Sequence, residues 1–237
     1  SMDEFFHKET AEIGEVLMSV KNLSLKGQFN DISFDLRRGE VLGVAGLMGA
    51  GRTELMESIF GYHPPESGEI WIRGELAKIE KPSDAIALGI GFVTEDRKLT
   101  GIFQELSIKD NMIMPDVKNY LSGGFLNNGR IRRNCQGQRE ALQIKTPTLE
   151  QLIKNLSGGN QQKVLISRWL LMEPDIFIVD EPTRGIDVGA KSEIHRLIGE
   201  LAKMGKAIIM VSSEMPEILS ISDRIIVMHE GDYSGEL

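Results

Sequence analysis

One octapeptide constrains this chain more than any other segment. Gly46-Leu47-Met48-Gly49-Ala50-Gly51-Arg52-Thr53 lies between the apolar run Val41–Ala45 and a helix-forming stretch over 53–60. A strand that runs into a glycine-rich turn and then a helix is the setting of a G-x-x-x-x-G-K-[ST] phosphate loop. The glycines let successive backbone N–H groups turn inward towards a polyphosphate, and the helix N-terminus adds partial positive charge. Thr53 then offers its hydroxyl to Mg2+. Arg52 stands where lysine is expected. It keeps the positive charge, but a planar guanidinium is bulkier than an ammonium and meets the β- and γ-phosphates differently. The other reading of the octapeptide is a strand–helix turn that holds no ligand.

Around this loop the apolar pattern changes character. Ile32, Phe34 and Leu36 alternate with Ser33, Asp35 and Arg37, and Ile70 and Ile72 flank Trp71, as in half-buried antiparallel strands. The stretch 16–20 joins that layer. By contrast 41–45, 176–179, 207–211 and 225–228 are short continuous apolar runs, which suit strands covered on both faces of a parallel sheet. Helical stretches at 53–60, 161–172, 191–203 and 216–220 separate them, and 106–156 shows helix-like patches without convincing strands. The spacing therefore predicts three regions: an antiparallel layer, a parallel α/β sheet and a helical insert.

Composition narrows the function. The 237 residues carry 27 Lys+Arg against 35 Asp+Glu, a net charge of −8 that argues against a nucleic-acid backbone as the main partner. The basic cluster Arg130, Arg132 and Arg133 reads as a solvated helix face. The one cysteine, Cys135, excludes an internal disulfide framework, fits a reducing compartment and reads, like the 11 methionines, as packing or surface. No apolar run reaches the ~18–20 residues of a membrane span, and no signal-peptide pattern is visible. Ser1 ahead of Met2 reads as an expression scar, so 1–12 is taken as scar and flexible lead-in to a domain over 13–237.

Two further motifs carry chemistry. The apolar run 176–179 ends in Asp180-Glu181-Pro182. Asp180 is placed to hold Mg2+ through its water shell beside Thr53, and Glu181 to orient or deprotonate an attacking water. Plain solvated loop acids are the alternative. Leu156-Ser157-Gly158-Gly159-Asn160-Gln161 opens the next helix, where a serine and two glycines make an anion site or simply an N-cap.

In this order, the phosphate loop, the Leu-Ser-Gly-Gly-x-Gln segment and the hydrophobic-Asp-Glu-Pro segment resemble the ATP-binding cassette family from about 16 to 230. The resemblance implies a P-loop α/β nucleotide-binding domain with an antiparallel β subdomain, a parallel-sheet core and a helical subdomain inserted at about 104–172. It implies ATP and Mg2+ as ligands, and head-to-tail pairing in which each ATP lies between one cassette's phosphate loop and the other's signature. Segments 46–55, 95–98 (Glu-Asp-Arg-Lys), 156–163 and 180–191 together resemble the second cassette of bacterial monosaccharide importers of the ribose, galactose and arabinose type. That narrower likeness implies an N-terminal cassette in the same polypeptide, a transmembrane sugar permease, indirectly a periplasmic or extracellular sugar-binding protein, no nucleic acid, and a peripheral place on the cytoplasmic face of the bacterial membrane.

Three departures from the family pattern fall on one implied site. They are Arg52, Glu95 where most cassettes place a glutamine, and Ser213 where the family has a histidine. A carboxylate at 95 changes the local charge and is a candidate metal ligand. His7, His63, His195 and His229 read as surface or packing residues, and Phe29 is an adenine-stacking candidate that core packing would equally explain. The signature is intact apart from Asn160, and Asp187 matches the loop that crosses to a partner. The resemblance thus implies a degenerate own site with slow turnover and a signature that completes the partner's site. For docking on a permease, 95–111 is the candidate segment, with Phe103, Leu106 and Ile108 as apolar contacts or as core. Two alternatives are a non-transport cassette working on nucleic acid or ribosomes, and an interaction module without nucleotide.

Overall fold

The strand that precedes the glycine loop explains the centre of the fold. β3 (Val41–Ala45) is buried at every position, as are β9 (Ile176–Asp180) and β10 (Ala207–Val211). Such strands leave no face for water, and here they pair in parallel, with β10 between β3 and β9. β11 (Arg224–His229) adds in parallel on the other side of β3, and β6 (Ile90–Val93) lies beyond β9. The computed structural model describes residues 11–237; the lead-in at 1–10, with His7, lies outside the described residues.

The predicted alternation also forms strands. β2 (Phe29–Arg37) buries Ile32, Phe34 and Leu36 while its intervening residues face out. It pairs antiparallel with β1 (Val16–Leu25), which pairs in turn with β4 (Ser67–Ile72), and β5 (Glu75–Ala77) closes that edge. The antiparallel and parallel parts are not separate layers, as the apolar pattern suggests. β12 (Asp232–Glu236) runs antiparallel to β11 and meets β2 at Asp232 and Asn30, giving one ten-stranded sheet in the order β5-β4-β1-β2-β12-β11-β3-β10-β9-β6. β12 escapes the sequence pattern because it is mostly exposed and carries no apolar alternation.

The described chain divides into two compact units. The first comprises residues up to 92, 174–182 and 195–237, and so holds nearly all of the sheet. α1 (Arg52–Phe60) lies against β9 and α7 (Met215–Ile221) against β3, and α2 (Pro82–Ala87) packs on α1. α1 is bounded by glycines in left-handed geometry at both ends, and the turn after it returns the Tyr62 N–H to the Glu57 carbonyl.

The second unit comprises 93–173 and 183–194. It contains α3 (Ile108–Ile113), α4 (Asn128–Ala141), α5 (Gly158–Leu170) and the start of α6 (Val188–Lys203). A small hairpin of β7 (Leu121–Ser122) and β8 (Phe125–Leu126) interrupts the region expected to lack strands. Four residues of polar or exposed character leave no periodic signal to read. Ile108 is fully buried at the start of α3, where the Ser107 hydroxyl accepts the Asp110 N–H and turns the helix inward. It is therefore core and not a docking contact; Phe103 remains exposed and Leu106 half-buried. Cys135 is buried on α4, and burial pushes its thiol up to about 12. Arg130, Arg132 and Arg133 face solvent on the same helix.

Candidate functional site

In the first unit the phosphate-loop residues form a tight turn between β3 and α1. The Ala50 N–H donates to the Leu47 carbonyl at 3.1 Å, leaving Leu47 and Met48 exposed at the tip and Ala50 buried. Gly51 has φ +85, and a side chain there would meet the Gln28 carbonyl at 2.5 Å. Gly46 is held as closely, its added Cβ falling 2.5 Å from the Met228 carbonyl. The loop is thus pressed onto neighbouring backbone, and only glycine fits at both ends. Gly49, also at positive φ, has open space before it.

Arg52 starts α1 with a side chain only 9% exposed. It does not point into solvent: Nη2 lies 3.6 Å from Glu181 Oε1, and that carboxylate is itself 11% exposed. Nη1 is buried and has no hydrogen-bond partner among the described residues. Thr53 is half-buried one residue on.

β9 delivers the two acids. Asp180 is fully buried, and neither carboxylate oxygen has a hydrogen-bond partner among the described residues. Burial pushes its carboxyl up to about 7; the nearby Thr53 hydroxyl opposes the shift without reaching hydrogen-bond geometry, and Glu181 adds to it. A buried carboxylate with two unsatisfied oxygens is a costly arrangement unless something charged completes it. Asp180 and Thr53 therefore fit a hard divalent cation, whose preferred ligands are oxygens.

Glu181 follows in left-handed geometry at φ 46, unusual for a side chain of its kind. Its N–H donates to the Val211 carbonyl at 2.9 Å, and its Oε1 accepts the Ser213 N–H at 2.7 Å. Burial raises its carboxyl, while the Ser213 hydrogen bond and the Arg52 guanidinium act to lower it. Ser213 thus meets Glu181 through its backbone N–H, and its side chain also acts to lower the Glu181 carboxyl. Three residues that sequence reading missed stand behind it: Ser212, Glu217 and His195 are buried and joined by hydrogen bonds of 2.5 Å. His195, which reads as a surface or packing residue in the sequence, is buried and partnered by Glu217. His63 and His229 are exposed.

A cavity of about 500 Å³ adjoins the loop, lined by Lys26, Gln28, Phe29, Asn30, Glu66 and Glu230 among others. Gly231 ties it to the loop by donating its N–H to the Ala50 carbonyl. Phe29 is almost wholly buried at its wall, so the core reading of that residue holds.

The second unit holds the signature by itself. Ser157 caps α5, its Oγ accepting from the Asn160 N–H at 3.5 Å and from Asn160 Nδ2 at 2.9 Å. A hydroxyl has two acceptor positions and one donor, and Ser157 is the acceptor in both of these contacts. A Cβ on Gly159 would lie 2.6 Å from the Ala190 Cβ, which shows how closely α5 approaches the start of α6. Asp187 caps that start, with Oδ1 accepting the Ala190 N–H at 3.0 Å. Arg97 donates to Gln161 Oε1 at 3.1 Å and reaches the Arg184 carbonyl at 3.5 Å. Glu95 is paired with the Arg184 guanidinium, so its carboxylate is neutralised by a neighbour the sequence did not indicate. Leu156 sits just ahead of the cap, after a single turn at Ile153–Asn155.

A glycine loop between a parallel strand and a helix, with a buried acid at the end of the next strand but one, defines a P-loop nucleotide-binding fold. The family model described as ABC transporter matches residues 29–184, and the chain belongs to that family. It is 60% identical over 236 residues to a ribose/galactose/methyl galactoside import ATP-binding protein of Geobacillus kaustophilus, covering 100% of this chain and 47% of that protein. A protein of the same name from Halalkalibacterium halodurans is 56% identical, with 45% of its length covered. The chain thus spans about half the length of these curated relatives. Among solved structures, an ATP-binding cassette of an ABC transporter superposes with a TM-score of 0.81 at 19% identity, over 94% of this chain and 91% of that one. The structure of cbiO1 from Clostridium perfringens gives 0.78 at 25% identity, over 94% and 88%.

Proposed function

We propose that this chain is one cassette of a bacterial sugar importer, that it holds Mg-ATP weakly or statically, and that its main contribution to hydrolysis is the signature it lends to a partner cassette. The observation that carries the reading is the placement of Arg52: its guanidinium faces the carboxylate that would otherwise activate water. Lysine is a slender point charge on a flexible stem, whereas the planar arginine fork suits carboxylate and phosphate alike and here faces Glu181.

The division of labour follows from the two units. In the first, the backbone of Gly46, Leu47, Met48, Gly49, Ala50 and Gly51 binds phosphate, and Thr53 and Asp180 hold Mg2+, which supplies charge neutralisation on the phosphates when bound. Glu181 orients water as a general base, aimed by the Ser213 amide and restrained by Arg52. In the second, the Ser157 hydroxyl and the N–H groups of Gly158 and Gly159 face an anion from the partner, with Leu156, Asn160 and Gln161 shaping that helix end. Asp187 sits beside it as the partner-facing loop. Glu95, paired with Arg184, does not supply the neutral amide that cassettes commonly place there.

The relatives' half-covered length supports a second cassette in the same polypeptide, and their names support sugar import. Import requires a transmembrane permease and a sugar-binding protein outside the membrane, and puts this domain on the cytoplasmic face. No helix among the described residues is long and apolar enough to cross a membrane. Titrating Mg-ATP into the chain while following phosphate release in the same sample tests the reading. Binding with slow release is expected. Fast release that Glu181→Gln abolishes contradicts it.

A further inference from the structure

Behind Glu181 lies a polar cluster that phosphate chemistry does not use. Ser212, Glu217 and His195 are 1%, 3% and 7% exposed. Ser212 Oγ donates to Glu217 Oε2 at 2.5 Å, and Glu217 Oε1 lies 2.5 Å from His195 Nε2. The same Ser212 Oγ accepts the Glu214 N–H at 3.0 Å. Burying a carboxylate, an imidazole and a hydroxyl together is costly unless they pair, and here both oxygens of Glu217 are taken, one by Ser212 and one by His195.

The cluster fixes one short stretch of chain. β10 ends at Val211, and Ser212 is buried while the Ser213 side chain is exposed in the loop that follows. Ser212 ties it on one side and Glu214 on the other, both through the single Ser212 oxygen. Between these ties the Ser213 N–H is left to point at Glu181 Oε1, 2.7 Å away. Glu181 needs such a partner, because its left-handed backbone at the strand end does not by itself aim its carboxylate.

We propose that His195, Glu217 and Ser212 form a buried clamp that sets the Ser213 amide on Glu181 and so positions the general base. They are positioning residues: they are buried behind Glu181 and act through the 212–214 loop. α6 supplies His195 and α7 supplies Glu217, so the orientation of Glu181 depends on how these two helices seat against the end of β10. The inference rests on the reading of Glu181 as the base.

Ser212→Ala removes the donor to Glu217 and the acceptor for Glu214 with little change in volume. In the chain with ATP and Mg2+ it is expected to lower kcat on the order of ten-fold, with KM for ATP held within about two-fold. Ser212→Thr, which restores the hydroxyl, should recover most of the loss, and Glu217→Gln should reproduce it. Amide hydrogen exchange, which needs no turnover, should run about ten-fold faster at Ser213 and Glu214 in Ser212→Ala and stay unchanged along β10. In a Glu181→Gln background Ser212→Ala should cost nothing further, because both act through one carboxylate. Exchange at 213 and 214 left unchanged by Ser212→Ala, or an undiminished loss in the Glu181→Gln background, overturns the clamp. Ser212→Ala at full rate beside an inactive Glu181→Gln overturns the clamp alone. Glu181→Gln at full rate overturns the base assignment and the clamp's catalytic purpose with it.

Discussion

Asp180→Asn is the substitution whose effect the structure sizes best. Burial carries the Asp180 carboxyl from 3.8 up to about 7, and neither of its oxygens has a partner among the described residues. At about 1.4 kcal/mol per unit, a rise of roughly three units means that the ionised carboxylate costs the fold about 4 kcal/mol. The folded chain holds its proton more tightly than the unfolded chain, so this group's stability is full below about pH 4 and is lost as pH rises through 7. Asparagine removes the charge but buries an amide, at a cost of about 1–3 kcal/mol where it stays unpartnered. The balance, at pH 8 in EDTA, is a variant about 1–3 kcal/mol more stable than the parent. At pH 5 the parent is mostly protonated at this site and the advantage shrinks by roughly 2–3 kcal/mol. Urea unfolding followed by the fluorescence of Trp71 and Trp169 reads both values. With Mg-ATP added, the parent alone should gain in melting temperature. A stability difference that does not change with pH, or an asparagine variant weaker than the parent at pH 8, would refute the reasoning.

Other consequences are as concrete. Arg52→Lys replaces the fork that faces Glu181 with a slimmer cation, and phosphate release by the chain should rise about ten-fold or more; an unchanged rate means that the pairing does not restrain the base. Gly159→Ala places a methyl 2.6 Å from the Ala190 Cβ, and chemical denaturation should show a loss of about 1–3 kcal/mol as α5 and α6 separate. Cys135, buried and with its thiol near 12, should resist a thiol reagent at pH 8 in the native chain and react at once in urea.

Some of this was legible in the residues alone. The glycine loop, the continuous apolar strands and the two acids at the end of β9 are local patterns, and the structure places them together because parallel strands bring their C-terminal ends to one edge. What escaped depends on residues far apart in the chain. Nothing in the local sequence tells Arg52 to face Glu181 or Arg184 to face Glu95. A single histidine in a helix reads as packing, and only the meeting of α6 and α7 behind β10 gives His195 its glutamate. β12 joins two parts of the sheet with mostly exposed residues that carry no periodic signal. Ile108 reads as a free apolar contact until the Ser107 cap turns α3 into the core.

On the proposed division of labour, the chain's signature matters more to hydrolysis than its own phosphate loop. The direct measurement is phosphate release by this chain alone, by the separately prepared N-terminal cassette of such an importer alone, and by the two mixed. Slow release is expected from the chain alone, with a gain of about ten-fold or more on mixing. Ser157→Arg should remove that gain, and Glu181→Gln should leave most of it intact. Fast release from this chain alone, abolished by Glu181→Gln and unchanged by mixing, would contradict it.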